Sequence, residues 1–283
     1  MSTFPTYGVT LVDGPATRWV NGQEVFDSME PAFRDNLGDP ERVLDLLSRY
    51  QMRSLWLDPV TSRRIDHVQA DPGYVDLSEA YHDSVEEGFF LGGQCELSAE
   101  GRFVAGDYFW RPPGWVHSAA APAGFEVLLM MEGSVGSEGS DRVSRVVRPD
   151  DEAGTHALTG RQDALGPRGY ERRAEARFMV WRPHDDRATR LVAAAAGSLS
   201  SKVLSRNVST DAASVLFQLP AGWSSRPPAV DRERFLVNTT GSLRADGTEL
   251  GPCSLVRIAP GCEGPLLEVP EGTELLVKVG EPG

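Results

Sequence analysis

The sequence predicts a mainly β protein built from two tandem barrels with a few short helices, and three observations predict it. Runs of β-branched and aromatic residues are short and bounded by turn residues, in a chain with 29 glycines and 20 prolines. Hydrophobic residues make up 40% of the 283 positions, enough for a globular, turn-rich chain with a sizeable core. The third observation is an internal repeat. A shift of 148 residues lays Val60 on Val208, Pro72 on Pro220, Gly93 on Gly241 and Pro112 on Pro260. It continues with Pro122 on Pro270, Gly124 on Gly272, Glu126 on Glu274 and Leu128 on Leu276. Most of these matches are prolines and glycines, which fix turns, so the repeat reports one backbone path used twice.

In chain order, residues 1–27 read as short strands and turns, with 8–12 the clearest extended run. Residues 28–51 read as helical: Asp39 is placed to cap, Pro40 sits at the first helical position, and Val43, Leu46 and Leu47 form one apolar stripe. Strand patterns follow at 54–57 and 65–68, then the turn Asp71-Pro72-Gly73, two hairpins, and the apolar run 124–131. Residues 134–165, rich in Gly, Ser, Asp and Arg, read as a linker or long surface loop. The expected division is therefore 1–140 for the first barrel, 141–165 for the connection and 166–283 for the second barrel.

A net charge of −13 argues against a nucleic-acid partner, and the arginines of 161–190 alternate with acids as on a solvated face. Three scattered cysteines (Cys95, Cys253, Cys262) form neither a disulfide framework nor a thiolate zinc site, which suits a reducing compartment. The first residues lack the basic start and apolar stretch of a signal peptide, and no apolar run is long enough to span a bilayer. The expectation is a cytoplasmic protein, monomer or homodimer, with a small-molecule substrate and no membrane partner.

The chemistry gathers between His82 and His117. Neutral imidazole plus carboxylate suits a divalent first-row metal, and His82, Glu86 and His117 offer that set in short segments split by turn residues. These segments resemble the cupin superfamily. Its second motif (Gly, five residues, Pro, one residue, Gly, two residues, His) is matched without a gap by Gly106, Pro112, Gly114 and His117. Its first motif (His-x-His, three or four residues, Glu, six residues, Gly) is matched by His82, Glu86 and Gly93, while Ala80 stands where the leading histidine is expected. The resemblance implies two tandem cupin-type jelly-roll barrels and one metal held by His82, Glu86 and His117. Glu87 replaces Glu86 as ligand if the turn is one residue longer, and the absent fourth ligand leaves open a barrel that no longer binds metal.

In the second copy His82 falls on Val230, Glu86 on Arg234 and His117 on Pro265, so only the N-terminal barrel is expected to bind metal. Three ligands from one side leave cis positions open, the facial arrangement of non-haem Fe(II) oxygenases. Fe(II) is therefore the favoured ion, with Zn, Mn or Ni as alternatives, and a dioxygenase acting on a small organic molecule is the first reading. A non-redox cyclase, isomerase or lyase and a binding module without catalysis are the other two. Alternation along the strand puts Gly88 and Phe90 on the side of Glu86, Gly88 leaving room beside the metal and Phe90 walling the cavity. Tyr81, Trp110 and Trp115 are expected near the mouth. Arg111 facing inward would suit an anionic substrate group; facing outward, the plainer expectation, it would meet a surface acid.

Overall fold

The computed structural model describes residues 8–29, 31–34, 39–76, 79–82, 84–98, 100–112, 115–132, 145–146, 173–183, 186–193, 199–208 and 210–280. Gly114, His156, His184 and nearly all of the expected connection 141–165 lie outside them. The described residues are mostly strand with a few short helices, and the chain divides into two compact units, 18–167 and 1–17 with 168–283. No helix among them is long and apolar enough to cross a membrane.

The first strand, β1 (Val9–Val12), belongs to the sheet of the second unit, where Val9 stands opposite Ile258 and Val12 opposite Leu255. Unit 18–167 opens with β2 (Val20–Asn21) and three short helices: α1 (Gly22–Ser28), α2 (Pro31–Arg34) and α3 (Pro40–Leu47). Helix α1 starts earlier than the expected 28–51 span because Asn21 and Glu24 form a capping box, each side chain taking the other's backbone N–H at 3.0 and 3.1 Å. Asp39 caps α3 as the sequence predicts, and Val43 and Leu47 are buried beneath it. The helical span also ends sooner: Tyr50 and Gln51 already pair with Ala70 and Gln69 as the start of a strand.

That strand is β3 (Tyr50–Leu57), followed by β4 (Arg64–Ala70), β5 (Tyr74–Val75), β6 (Ala80–Tyr81), β7 (Glu86–Leu97) and β8 (Gly101–Val104). Then come β9 (Asp107–Arg111), β10 (Ala119–Ala121), β11 (Phe125–Met131) and β12 (Arg145–Val146), the last paired with β6. One antiparallel sheet has the order β9-β7-β11-β4-β3-β2, and a second run has the order β5-β10-β7-β8. Strand β7 serves both, its first half beside β9 and β11 and its last residues beside β8 and β10. The crossover sits at Gly92-Gly93. Gly93 has φ +69°, and a Cβ there would lie 2.1 Å from the Gly124 carbonyl oxygen, so the chain can turn only with glycine at this motif position.

The second unit repeats this frame. Its larger sheet runs β1, Leu255–Ile258, Arg234–Asn238, Thr273–Val279, Ala213–Leu219, Ser200–Arg206, Arg182–Pro183. Under the sequence shift, five of these strands are β9, β7, β11, β4 and β3 in the same order, and Phe125–Met131 falls residue for residue on Thr273–Val279. The smaller sheet, Trp223–Ser225, Leu267–Val269, Leu243–Ala245, Thr248–Leu250, repeats β5-β10-β7-β8 likewise. Each unit buries its own apolar core. In 18–167 it centres on Phe90, Phe103, Phe109, Cys95 and Val127; in the other unit it draws on Phe217, Leu236, Val256, Leu267 and Val277, with Val9.

Candidate metal centre

Three short segments deliver the candidate ligands. His82 follows β6, Glu86 opens β7, and His117 forms an isolated bridge with Ala80, with N–H to carbonyl distances of 2.9 and 2.8 Å. The bridge ties the two histidine segments together. It also puts residue 80 directly across from His117, on the same face, where the cupin pattern has its missing histidine.

His82, Glu86 and His117 can each offer a ligand atom such that all three lie within 4.8 Å of one another. Nε2 of His82 is 3.8 Å from Glu86 Oε1, and Nε2 of His117 is 3.6 Å from Glu86 Oε2. The imidazole centroids are 5.2 Å apart. Glu86 is buried and the histidine side chains are 15% and 11% exposed, so the group is recessed yet reachable.

The donor set fits a divalent ion. His117 Nδ1 lies 3.0 Å from the Trp115 carbonyl oxygen, so Nδ1 carries the hydrogen and Nε2 keeps its lone pair toward the centre. Burial, reinforced by the Arg111 charge and opposed by Glu86, pushes the His117 imidazole down to about 3 and keeps it neutral at neutral pH. Burial alone would raise the Glu86 carboxyl, but the Arg111 charge, with smaller contributions from the two histidines, outweighs it and holds it at about 2. The result is an ionised carboxylate beside a neutral imidazole, the protonation states a metal requires.

Glu86, rather than Glu87, faces the histidines. Glu87 points to the other side of the strand, where its carboxylate accepts from the buried Tyr108 hydroxyl at 2.8 Å. Arg111 does not turn outward. It stands directly across from Glu86 in the β7–β9 pairing, 3% exposed, and its Nη1 donates to Glu86 Oε2 at 2.7 Å. Its Nε and Nη2 donate to the two oxygens of Glu100 at 2.7 and 2.9 Å. Glu100 lies in the turn between β7 and β8, and nothing in its local sequence marks it; only the fold brings it to Arg111.

Two expectations about the cavity wall change. The room left by Gly88 is taken by Phe109, since a Cβ at Gly88 would lie 2.2 Å from that ring. Phe90 is core: its ring packs 5.3, 6.2 and 5.9 Å from those of Phe103, Phe109 and Phe125. Trp110 is buried too, while Tyr81 is half-buried in β6 beside His82. His67, in β4, is held away from this group by Arg53 Nε at 3.0 Å and Glu126 Oε1 at 2.6 Å. Cys95 is a buried core residue.

Fold and site together describe a β protein with a recessed two-histidine, one-carboxylate group. No family model matches the chain, and no curated protein matches it in sequence. Solved structures do match in fold. One is a protein of Nostoc punctiforme provisionally named a dioxygenase, at 13% identity and TM-score 0.67, covering 99% of this chain and 85% of that one. Another is YlbA of E. coli, of the family DUF861, at 9% identity and TM-score 0.60, covering 99% and 94%. A third is the Mn(II) oxalate decarboxylase of Bacillus subtilis, at 15% identity and TM-score 0.51, covering 83% and 74%. These neighbours are cupin-fold proteins, and the likeness to them is one of fold.

Proposed function

We propose that this protein is a metal-dependent enzyme acting on a small organic molecule, with one divalent ion, Fe(II) first, held by His82, Glu86 and His117. The observation that carries the reading is the convergence of three ligand atoms within 4.8 Å, with Glu86 ionised and His117 neutral. A bound ferrous ion would supply the redox chemistry of a dioxygenase, which is the reaction class placed first.

The chain's own residues do the rest. The Trp115 carbonyl fixes the His117 tautomer, and Arg111 keeps Glu86 ionised and oriented. Tyr81 is proposed to meet the substrate from beside His82. Glu86 and Glu100 contribute two negative charges and Arg111 one positive, so a divalent ion leaves the group one unit positive. That balance favours a substrate presenting an anionic oxygen, such as a carboxylate or enolate. A second reading, a metal enzyme that is not an oxygenase, is supported by the Mn(II) named for the oxalate decarboxylase neighbour.

Elemental analysis of freshly purified protein, followed by oxygen-uptake measurements under reducing conditions with small carboxylic acids and dicarbonyls, tests the proposal. About one iron per chain with substrate-dependent oxygen uptake is the expected result. Stoichiometric manganese or zinc with indifference to oxygen moves the protein to the second reading. Failure to take up any of these ions overturns both.

A further inference from the structure

We propose that Glu100 and Arg111 form a positioning pair for Glu86, fixing how its carboxylate is presented to the ion; the proposal rests on the metal-centre reading above. The geometry is that of a clamp. Glu100 holds the guanidinium by two parallel N–H···O bonds, Nε to Oε1 at 2.7 Å and Nη2 to Oε2 at 2.9 Å. Such a fork sets the plane of the group as well as its charge. The third contact, Nη1 to Glu86 Oε2 at 2.7 Å, then occupies one of the two ligand oxygens. Oε1 stays turned to His82, 3.8 Å from its Nε2, while Oε2, held by Arg111, lies 3.6 Å from His117 Nε2.

The aromatic floor completes the clamp. The Phe109 ring lies 4.2 Å from the Arg111 guanidinium carbon, in the space that Gly88 leaves. Arg111 and Glu100 side chains are only 3% and 10% exposed, so neither swings freely into solvent.

Charge explains why two acids are needed. A guanidinium touching a ligand carboxylate repels a nearby dication, and with Glu86 as its single partner it would weaken the site. Glu100 offsets that charge from the far side and leaves the orientation in place. Glu100 is thus a positioning residue acting through Arg111, without touching the ion.

Mn(II) titration of the metal-stripped, full-length protein tests this by dissociation constant and stoichiometry, with melting temperature followed in parallel. Glu100→Gln is expected to weaken Mn(II) binding about 10–100-fold at unchanged stoichiometry, as loss of an outer partner of a ligand typically does. In an Arg111→Gln background the same change should cost less than about threefold, because its route through Arg111 is gone. Glu100→Asp keeps the charge but is too short for the fork; it should lose an intermediate amount, and it serves if Glu100→Gln does not fold. The proposal is overturned if Glu100→Gln binds like the parent, if its loss is equal in both backgrounds, or if Glu100→Asp binds like the parent. A parent protein that binds no Mn(II), Fe(II) or Zn(II) sinks the metal-centre reading itself, and this role with it.

Discussion

The two units place opposite charges at one position of the same frame. Glu86 opens β7 between β9 and β11, opposite Arg111 and Met131. Arg234 opens the matching strand, opposite Ile258 and Val279, and is fully buried. Glu86 faces two histidines and Arg111, whereas Arg234 sends Nη1 to the Leu191 carbonyl at 2.9 Å and Nη2 to that of Cys262 at 3.1 Å. In one unit the position holds a carboxylate set between two imidazoles and a guanidinium; in the other it holds a guanidinium tied to backbone oxygens. The comparison teaches that the turn scaffold and the candidate ligands are separable, since glycines and prolines keep the path while the three side chains change.

The largest expected effect breaks the comparison outright. His117→Ala should remove stoichiometric metal and lower Mn(II) affinity beyond the roughly 100-fold of an outer-partner change, while Arg234→Met leaves metal content unchanged. Elemental analysis of both proteins checks this, and metal retained by His117→Ala would refute the ligand assignment.

Acid should act next, in the metal-free protein. Glu86 titrates lower folded than unfolded, so its contribution is present above the ordinary 4.5 and is lost as pH falls toward about 2. His117 is held at about 3 against an ordinary 6.5, so below 6.5 the unfolded chain takes a proton that the folded one refuses. Both effects destabilise in the same direction. Urea midpoints should fall steadily from pH 7 to pH 4, with His117 supplying about 2 kcal/mol by pH 5. His117→Phe should flatten the pH 5–7 limb, and an unchanged slope would count against a buried neutral imidazole.

Ala80→His sharpens the comparison from the other side. Residue 80 faces His117 across the bridge, so a histidine there should act as a fourth ligand and tighten Mn(II) binding about tenfold, ~1.4 kcal/mol, in a calorimetric titration. The smallest effect is expected for the stability of Arg234→Met. It loses two hydrogen bonds but relieves a buried charge, and the urea midpoint should correspond to a change within about 1 kcal/mol.

Much of this was legible in the chain as written. Strand and turn punctuation gave the β class and the repeat, and His82, Glu86 and His117, singled out by their spacing, do lie together in the fold. Glu100 leaves no such trace, and the sequence leaves Arg111 open between an inward position facing an anionic substrate group and an outward one facing a surface acid. The sequence suggests that Gly88 leaves room beside the metal, but the Phe109 ring fills that room. The N-terminal run 8–12 was recognised as extended, but its partner, Leu255–Ile258, lies at the far end of the chain.

The sequence by itself determined the turns, the doubled strand frame, the candidate ligands and their absence from the second copy. These are local properties, set by backbone restrictions at glycine and proline and by side-chain alternation along a strand. Tertiary structure decided which side chains meet across strands: Arg111 with Glu86 and Glu100, Phe109 over Gly88, and β1 beside Leu255–Ile258. Such meetings depend on register between segments distant in the chain, and a register becomes fixed only when the strands pair and the core closes around them.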